Sequence, residues 1–360
     1  MKRRSFLAKG AAGVAGIGLA GCSNAGRQSG ITLEKKLSPF VPRPRGGSMP
    51  TGELGKTGIK ISKFGFGSHI RAEMVTYYRQ REHMIHEAYD LGMNVFDVYD
   101  EEKGSSTAGS YQYEPIGRQI KPFKNDVLLS ISFRPYDGRT PEEEFERDLR
   151  LFGRDHVDLV RILREPDHPW WDLLFKWKEQ GKIRAVGAPV HTWEHVDMIL
   201  GKVPLDYIVF PYNFYHNVCW VNDPPKDFEA LPTKLRDHGV GVITMKPFAG
   251  DYLCEPFIDV ARQFVDEPQI RFPQAALRYI INSGIDADCT YTGMYQLPHL
   301  YEDVAAYYDP SMTDEEKALL DKIKDVAKMK ASAWLPKHYQ FLNQWAEKPE
   351  IRVDGGFREV

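Results

Sequence analysis

The chain has 360 residues, 42% of them hydrophobic and 27% charged, which suits a folded domain with a sizeable core and excludes a low-complexity or disordered chain. A net charge of −3 and a pI near 6.4 leave no basic footprint, so no nucleic-acid partner is expected. The four cysteines (Cys22, Cys219, Cys254, Cys289) are widely spaced with no CxxC, which excludes a disulfide framework and a thiolate metal site.

The chain opens with Arg3 and Arg4 followed by Phe6 and Leu7, which resembles a twin-arginine export signal. The apolar run from Gly10 to Ala20 is far shorter than the roughly 20 residues that span a bilayer. Gly10, Gly13, Gly16, Gly18 and Gly21 each weaken a helix by about 1 kcal/mol relative to Ala, which argues against a buried helix. A charged start, a short apolar run and small residues read as a signal peptide. Leu19-Ala20-Gly21-Cys22 resembles a lipoprotein box; the alternative is an ordinary cleavage site beside a cysteine. Acylation of Cys22 with several chains would anchor the protein firmly. The expected partners here are the twin-arginine translocation machinery and a membrane reached through the lipid on Cys22, with the folded part on the periplasmic or cell-surface side. Residues 23–50, rich in Ser, Gly, Arg, Lys and Pro, read as a tether.

From there short β-branched and apolar runs alternate with helical patterns. The predicted strands are Lys63–Gly67, Asn94–Val98, Val127–Phe133, Val157–Leu163, Ala185–Ala188, Tyr207–Phe210, Val240–Thr244 and Asp288–Tyr291. The predicted helices are Arg79–Leu91, Pro141–Phe152, Trp170–Gln180, Trp193–Leu200, Phe228–His238, Pro273–Asn282 and Leu297–Tyr308. Thr140-Pro141-Glu142-Glu143 is a helix start, with a capping hydroxyl, Pro at the first position and acid in the first turn. After Asn94–Val98 only Pro115–Ile120 is left to serve as a helix. Eight βα alternations over residues 51–325 predict a (β/α)8 TIM barrel, preceded by signal and tether and followed by a C-terminal extension over 326–360. A doubly wound sheet would carry a Gly-rich phosphate turn after its first strand, and none is present.

Several segments, collinear over roughly 51–325, resemble the aldo-keto reductases. Leu54-Gly55-Lys56-Thr57-Gly58 with Phe64-Gly65-Phe66-Gly67 resembles their N-terminal hairpin and first strand. Gly92-Met93-Asn94-Val95-Phe96-Asp97 resembles the second strand, Val157-Asp158-Leu159 the fourth, and Gly181-Lys182-Ile183-Arg184-Ala185-Val186-Gly187 the fifth. Met245-Lys246-Pro247 resembles the loop after the seventh, and Thr292-Gly293-Met294 through Glu302-Asp303 the cofactor-phosphate loop and its helix. The resemblance implies carbonyl reduction with NADP(H) or NAD(H) and no metal, on a small-molecule substrate. It places the catalytic acid at Asp97 and the proton-donating tyrosine at Tyr111, the latter because Tyr111 to Gly117 resembles the motif that follows the family tyrosine. It places cofactor contacts at Tyr212, Lys246, Gly293, Glu302 and Asp303.

The chain also departs from that pattern. Glu102 stands at the usual spacing for the tyrosine, Ser132 where the family has lysine, and Leu163 where it has histidine. Pro189-Val190 and Val209 replace the residues that bind the nicotinamide amide, and Tyr295 or Gln296 stands where a cation would hold a 2′-phosphate. Side chains two apart on a strand share a face, so Arg134 goes with Ser132 and Arg161 with Leu163. If these faces point inward, arginines replace the lysine and histidine and form an anion or polyol pocket, since guanidinium forks match carboxylate and phosphate; a structural Arg–Asp network is the other reading. Two functions follow: a reductase with an altered catalytic set, or a barrel without hydride transfer that binds or processes a sugar or small anion in the periplasm.

Overall fold

The computed structural model describes residues 41–67, 78–99, 116–134, 138–190, 193–214, 230–248, 272–294 and 296–321. The expectations at Cys22, Tyr111 and Glu102, and those for the signal, the tether to residue 40 and the extension beyond 321, lie outside them.

A short antiparallel hairpin, β1 (Thr51–Glu53) and β2 (Lys60–Ser62), precedes the barrel. Then follow β3 (Phe64–Gly67), α1 (Tyr78–Asp90), β4 (Val95–Tyr99), β5 (Leu128–Ser132), α2 (Pro141–Phe152), β6 (Val157–Arg161) and α3 (Trp170–Glu179). The second half comprises β7 (Ile183–Pro189), α4 (Trp193–Ile199), β8 (Tyr207–Pro211), α5 (Ala230–Asp237), β9 (Gly241–Met245), α6 (Phe272–Ile281), β10 (Cys289–Gly293) and α7 (Leu297–Tyr308). Strands β3 to β10 are parallel neighbours in sequence order, and β10 pairs with β3 to close the barrel. This is the (β/α)8 barrel expected from the alternation. Among the described residues between β4 and β5 are helical residues 116–119 and a 3-10 turn at Lys121–Phe123.

The side-chain alternation separates two apolar layers. Inward-facing Val95, Leu128, Leu159, Ala185, Val209, Ile243 and Cys289 pack on Leu54, Ile59 and Ile61 of the hairpin, which forms the barrel floor. Outward-facing Phe66, Phe96, Leu129, Val160, Val186, Ile208 and Val242 pack against the helices. Each fully buried side chain of this kind contributes about 1.5–3 kcal/mol. Helix α2 starts as its sequence dictates: the Thr140 hydroxyl accepts from Glu143 N at 3.2 Å, and Glu143 Oε2 accepts from Thr140 N at 2.8 Å. It stops at Gly153, whose φ of 61° suits a residue without Cβ.

One correction concerns β6. It leaves the ladder after Arg161, so the two-residue alternation does not carry on to Leu163, which joins the apolar layer against the helices rather than the interior.

A repeated device fixes the N-terminal end. A polar side chain at the start of every second barrel strand accepts a backbone amide, from the barrel strand before it in three cases and from β2 of the hairpin for Asn94. Asn94 Oδ1 accepts from Ser62 N at 2.7 Å, and Asp158 Oδ2 from Leu129 N at 2.8 Å. Asp206 Oδ2 accepts from Val186 N at 2.7 Å, and Asp288 Oδ2 from Val242 N at 2.8 Å. Asp288 Oδ2 also accepts from Gly55 N at 3.0 Å, which ties the floor to the barrel. Gly55 has φ 52°, and a Cβ there would lie 2.5 Å from Gly241 N, so the turn fits only without a side chain.

Candidate functional site

The C-terminal end of a parallel barrel is where its chemistry sits. There β4 pairs with β5 so that Asp97 lies opposite Ser130, and β5 pairs with β6 so that Ser132 lies opposite Arg161. Asp97 and Arg161 both turn inward and meet. The guanidinium grips the carboxylate with two nitrogens, Nη1 on Oδ1 and Nη2 on Oδ2, the latter at 3.0 Å. Ser130 Oγ completes a triangle, donating to Asp97 Oδ1 at 2.8 Å and accepting from Arg161 Nη1 at 2.9 Å. Both charged groups are almost wholly buried, Asp97 5% and Arg161 2% exposed. A buried ion pair persists only with such bidentate geometry and further hydrogen bonds. Burial works against the Arg161 charge, but the Asp97 carboxylate and the neighbouring phenols outweigh it and raise its pKa.

Two tyrosines complete the interior. Tyr207 on β8 lies opposite Gly187, where a Cβ would stand 2.5 Å from its ring. Tyr291 on β10 lies beside Gly65, where a Cβ would stand 2.6 Å from its ring. These glycines leave the space that the rings fill. Burial raises the pKa of both phenols, and the Asp97 charge adds to it, so both are neutral hydroxyls. Asp97, Arg161, Tyr207 and Tyr291 come from alternate strands, the pattern in which barrel interiors are layered.

The cofactor side is uneven. Lys246, just past β9, holds a left-handed φ of 54°, rare for a residue with a side chain, and its carbonyl accepts from Asn213 Nδ2 at 3.4 Å. Gly293 ends β10 opposite Gly67 and is exposed. Gln296 begins α7 with no side-chain cap on the helix amides, leaving an N-terminus of the kind that accepts anions. Tyr212 is buried and stacks on Tyr279 at 6.0 Å between centroids. Glu302 is half-buried on α7, whereas Asp303 is 2% exposed, and burial holds its carboxyl well above the usual carboxylate range. Pro189, Val190 and Val209 are buried and apolar and offer no side-chain hydrogen bond to an amide.

Of the arginines expected at the mouth, Arg161 is bound to Asp97 and Ser130, while Arg134 is half-buried after β5. Arg164 lies 4.6 Å over the Trp170 ring. The sequence reading missed Ser130, Tyr207 and Tyr291. Ser130 was within reach of it, since the two-residue alternation puts it on the face of Ser132. The tyrosines were not, because only closure of the barrel brings β8 and β10 up to β4 and β6.

A family model described as the aldo/keto reductase family matches residues 65–325. The chain belongs to the aldo/keto reductase family. Within it, the chain is 24% identical over 220 residues to L-galactose dehydrogenase of Arabidopsis thaliana, covering 56% of this chain and 66% of that protein. It is 26% identical over 185 residues to aldo-keto reductase YhdN of Bacillus subtilis, covering 45% of this chain and 53% of that protein. The chain thus spans between half and two thirds of these relatives' lengths. Aldo-keto reductase AKR11C1 from Bacillus halodurans, in its holo form, superposes with a TM-score of 0.60 at 18% identity over 81% of this chain and 99% of that one. Its apo form superposes with a TM-score of 0.56 at 18% identity. This aldo/keto reductase is thus a distant relative of the Arabidopsis thaliana and Bacillus subtilis proteins. Among its described residues, no group of His, Cys, Asp and Glu is placed to hold a metal ion, and no helix is long and apolar enough to cross a membrane.

Proposed function

We propose that this protein reduces a small carbonyl compound, or oxidises the matching alcohol, with NADP(H) or NAD(H) at the C-terminal mouth of its barrel. The observation that carries this is the buried Asp97–Arg161 pair. It keeps an acid at the position where the family has its catalytic aspartate and supplies a permanent positive charge from β6, where β5 offers only Ser132. When bound, the nicotinamide supplies or accepts the hydride. Lys246, Gly293 and the start of α7 fit its phosphates, and Glu302 stands on the same helix. Pro189, Val190 and Val209 fit the amide poorly, so ring orientation rests on shape and stacking. Tyr111 is the proposed proton donor, and Arg134 a proposed substrate contact. The name of the plant relative makes aldoses and their lactones the first compounds to assay.

The test is calorimetry and tryptophan-fluorescence quenching with NADPH and NADH. Micromolar binding of either supports the reading, and Asp97→Asn and Tyr111→Phe then each abolish turnover while the cofactor still binds. Absence of binding at millimolar cofactor defeats it. The apolar Pro189-Val190 and Val209 favour the second reading in that case, a barrel that binds a sugar or small anion.

We also propose export by the twin-arginine route and lipid attachment at Cys22, which together put the barrel on the periplasmic or cell-surface side. Cys22→Ala then shifts the protein from the membrane to the soluble fraction. An unchanged distribution overturns the anchor.

A further inference from the structure

We propose that residues 41–50, which the sequence reads as the end of a tether, form a clasp that holds α7 against α1 across the closing seam of the barrel. Every other strand pair joins neighbours in the chain; only β10 and β3 must bring its two ends together. Helices α1 and α7 lie side by side outside that seam, and Tyr307 of α7 stacks on Phe64 of β3 at 4.8 Å between ring centroids. Residues 41–50 have no helix or strand of their own, yet they touch both helices. Arg43 Nε donates to Glu87 Oε1 on α1, and Tyr301 of α7 hydrogen-bonds the same Glu87 side chain. Strap, first helix and last helix thus meet at one carboxylate. Further along, Gly47 passes over Tyr308 of α7 so closely that a Cβ there would lie 2.5 Å from the Tyr308 Cβ and ring. The Tyr308 hydroxyl in turn donates to Leu91 O, just past α1, at 3.0 Å. Met49 is 8% exposed and packs on Gly92, and Pro50 O accepts from Lys63 N at 2.8 Å, which joins the strap to the start of β3.

An exposed ion pair alone holds little, so the seating of Gly47 on Tyr308 and the burial of Met49 carry the attachment. Pro42 and Pro44 narrow the unfolded ensemble of the strap and lower the cost of ordering it. The result is a conformational device: with the strap seated, α7 is braced from outside, and with it lifted, α7 keeps only its contacts with the barrel and its neighbouring helices. The same helix begins at the residues assigned above to the cofactor phosphates, so release of the strap also loosens that end. This last consequence rests on the cofactor reading; the clasp itself does not, nor does it depend on a lipid at Cys22.

The test is amide hydrogen exchange, read by mass spectrometry on the full-length protein without cofactor, for Gly47→Ala beside Gly284→Ala. A Cβ at Gly284 meets nothing within 4 Å, so that variant controls for the loss of a glycine. In Gly47→Ala, α7 and the end of α1 are expected to exchange about tenfold faster or more, while α3 keeps its rate and Gly284→Ala matches the unaltered protein. Unchanged exchange in α7, or an equal rise in every helix, overturns the clasp. Should Gly47→Ala fail to fold, Arg43→Ala removes only the exposed ion pair and is expected to raise exchange in α7 by about threefold. No rise in α7 there overturns the proposal as well. Because no cofactor is present, a failed cofactor reading leaves this result standing.

Discussion

At the N-terminal end of the barrel, polar side chains serve the backbone; at the C-terminal end, they serve one another. Asp158 illustrates the first arrangement. It accepts from the Leu129 amide and is flanked by Arg154 at 2.9 Å and Arg184 at 2.7 Å. Asp206 likewise takes the Val186 amide and Lys178 Nζ, the latter at 2.6 Å. Asp97 illustrates the second, with both oxygens held by the side chains of Arg161 and Ser130. A carboxylate bonded to strand amides is committed to the fold, since moving it unmakes the ladder's edge. A carboxylate held by a guanidinium and a hydroxyl is fixed by other side chains, and those partners can come from whichever strand reaches it. The same residue type thus serves the backbone at one end and a buried ion pair at the other.

Four substitutions would break or sharpen this contrast. The largest effect is expected from Arg161→Met, which strands a buried carboxylate and costs about 3–5 kcal/mol in urea unfolding. Removing both charges in Asp97→Leu/Arg161→Met restores most of that loss; a double variant as unstable as the single one would mean that the pair is not the unit. Next, Asp158→Asn weakens hydrogen bonds to two arginines and costs about 1.5–3 kcal/mol, with cofactor affinity unchanged by calorimetry. A drop in affinity there would dissolve the division between the two ends.

Asp303→Asn is expected to stabilise. Burial, with Glu302 adding to it, holds the Asp303 carboxyl well above its ordinary 3.8, so the neutral form is the one that folds. Its contribution is complete below that pH and is lost as pH rises through the folded-state value. The amide escapes this loss, so the variant gains about 1 kcal/mol or more near neutral pH and little near pH 4, read from melting curves at both. A gain independent of pH would contradict this account of the Asp303 carboxyl. The smallest stability change belongs to Lys246→Gly, which relieves the left-handed backbone by about 1 kcal/mol or less while weakening cofactor binding. Unchanged cofactor affinity would remove Lys246 from the phosphate side.

Local information proved readable in the sequence. Helix α2 begins at its Thr140 cap and ends before Gly153, because both signals act within one turn of chain. Strand existence followed from alternation, while strand ends did not: β6 stops at Arg161 instead of Leu163, and β7 begins at Ile183 and runs on to Pro189. Where a strand ends depends on the neighbour that pairs with it, which no local pattern records. The site shows the same limit. Asp97 could be placed because Gly92 to Asp97 resembles the family's second strand, and Arg161 could be placed on a face of β6. Their meeting could not be read, since it depends on the register of β4, β5 and β6 and on Ser130 lying between them.

The sequence by itself determined the eightfold alternation, because periodicity is written residue by residue, while the N-terminal hairpin was legible through the family resemblance. Only the tertiary structure decided that Arg161 answers Asp97, that Tyr207 and Tyr291 fill the space beside Gly187 and Gly65, and that burial raises the Asp303 pKa. Those outcomes depend on distances between strands and helices far apart in the chain, and only closure of the barrel sets such distances.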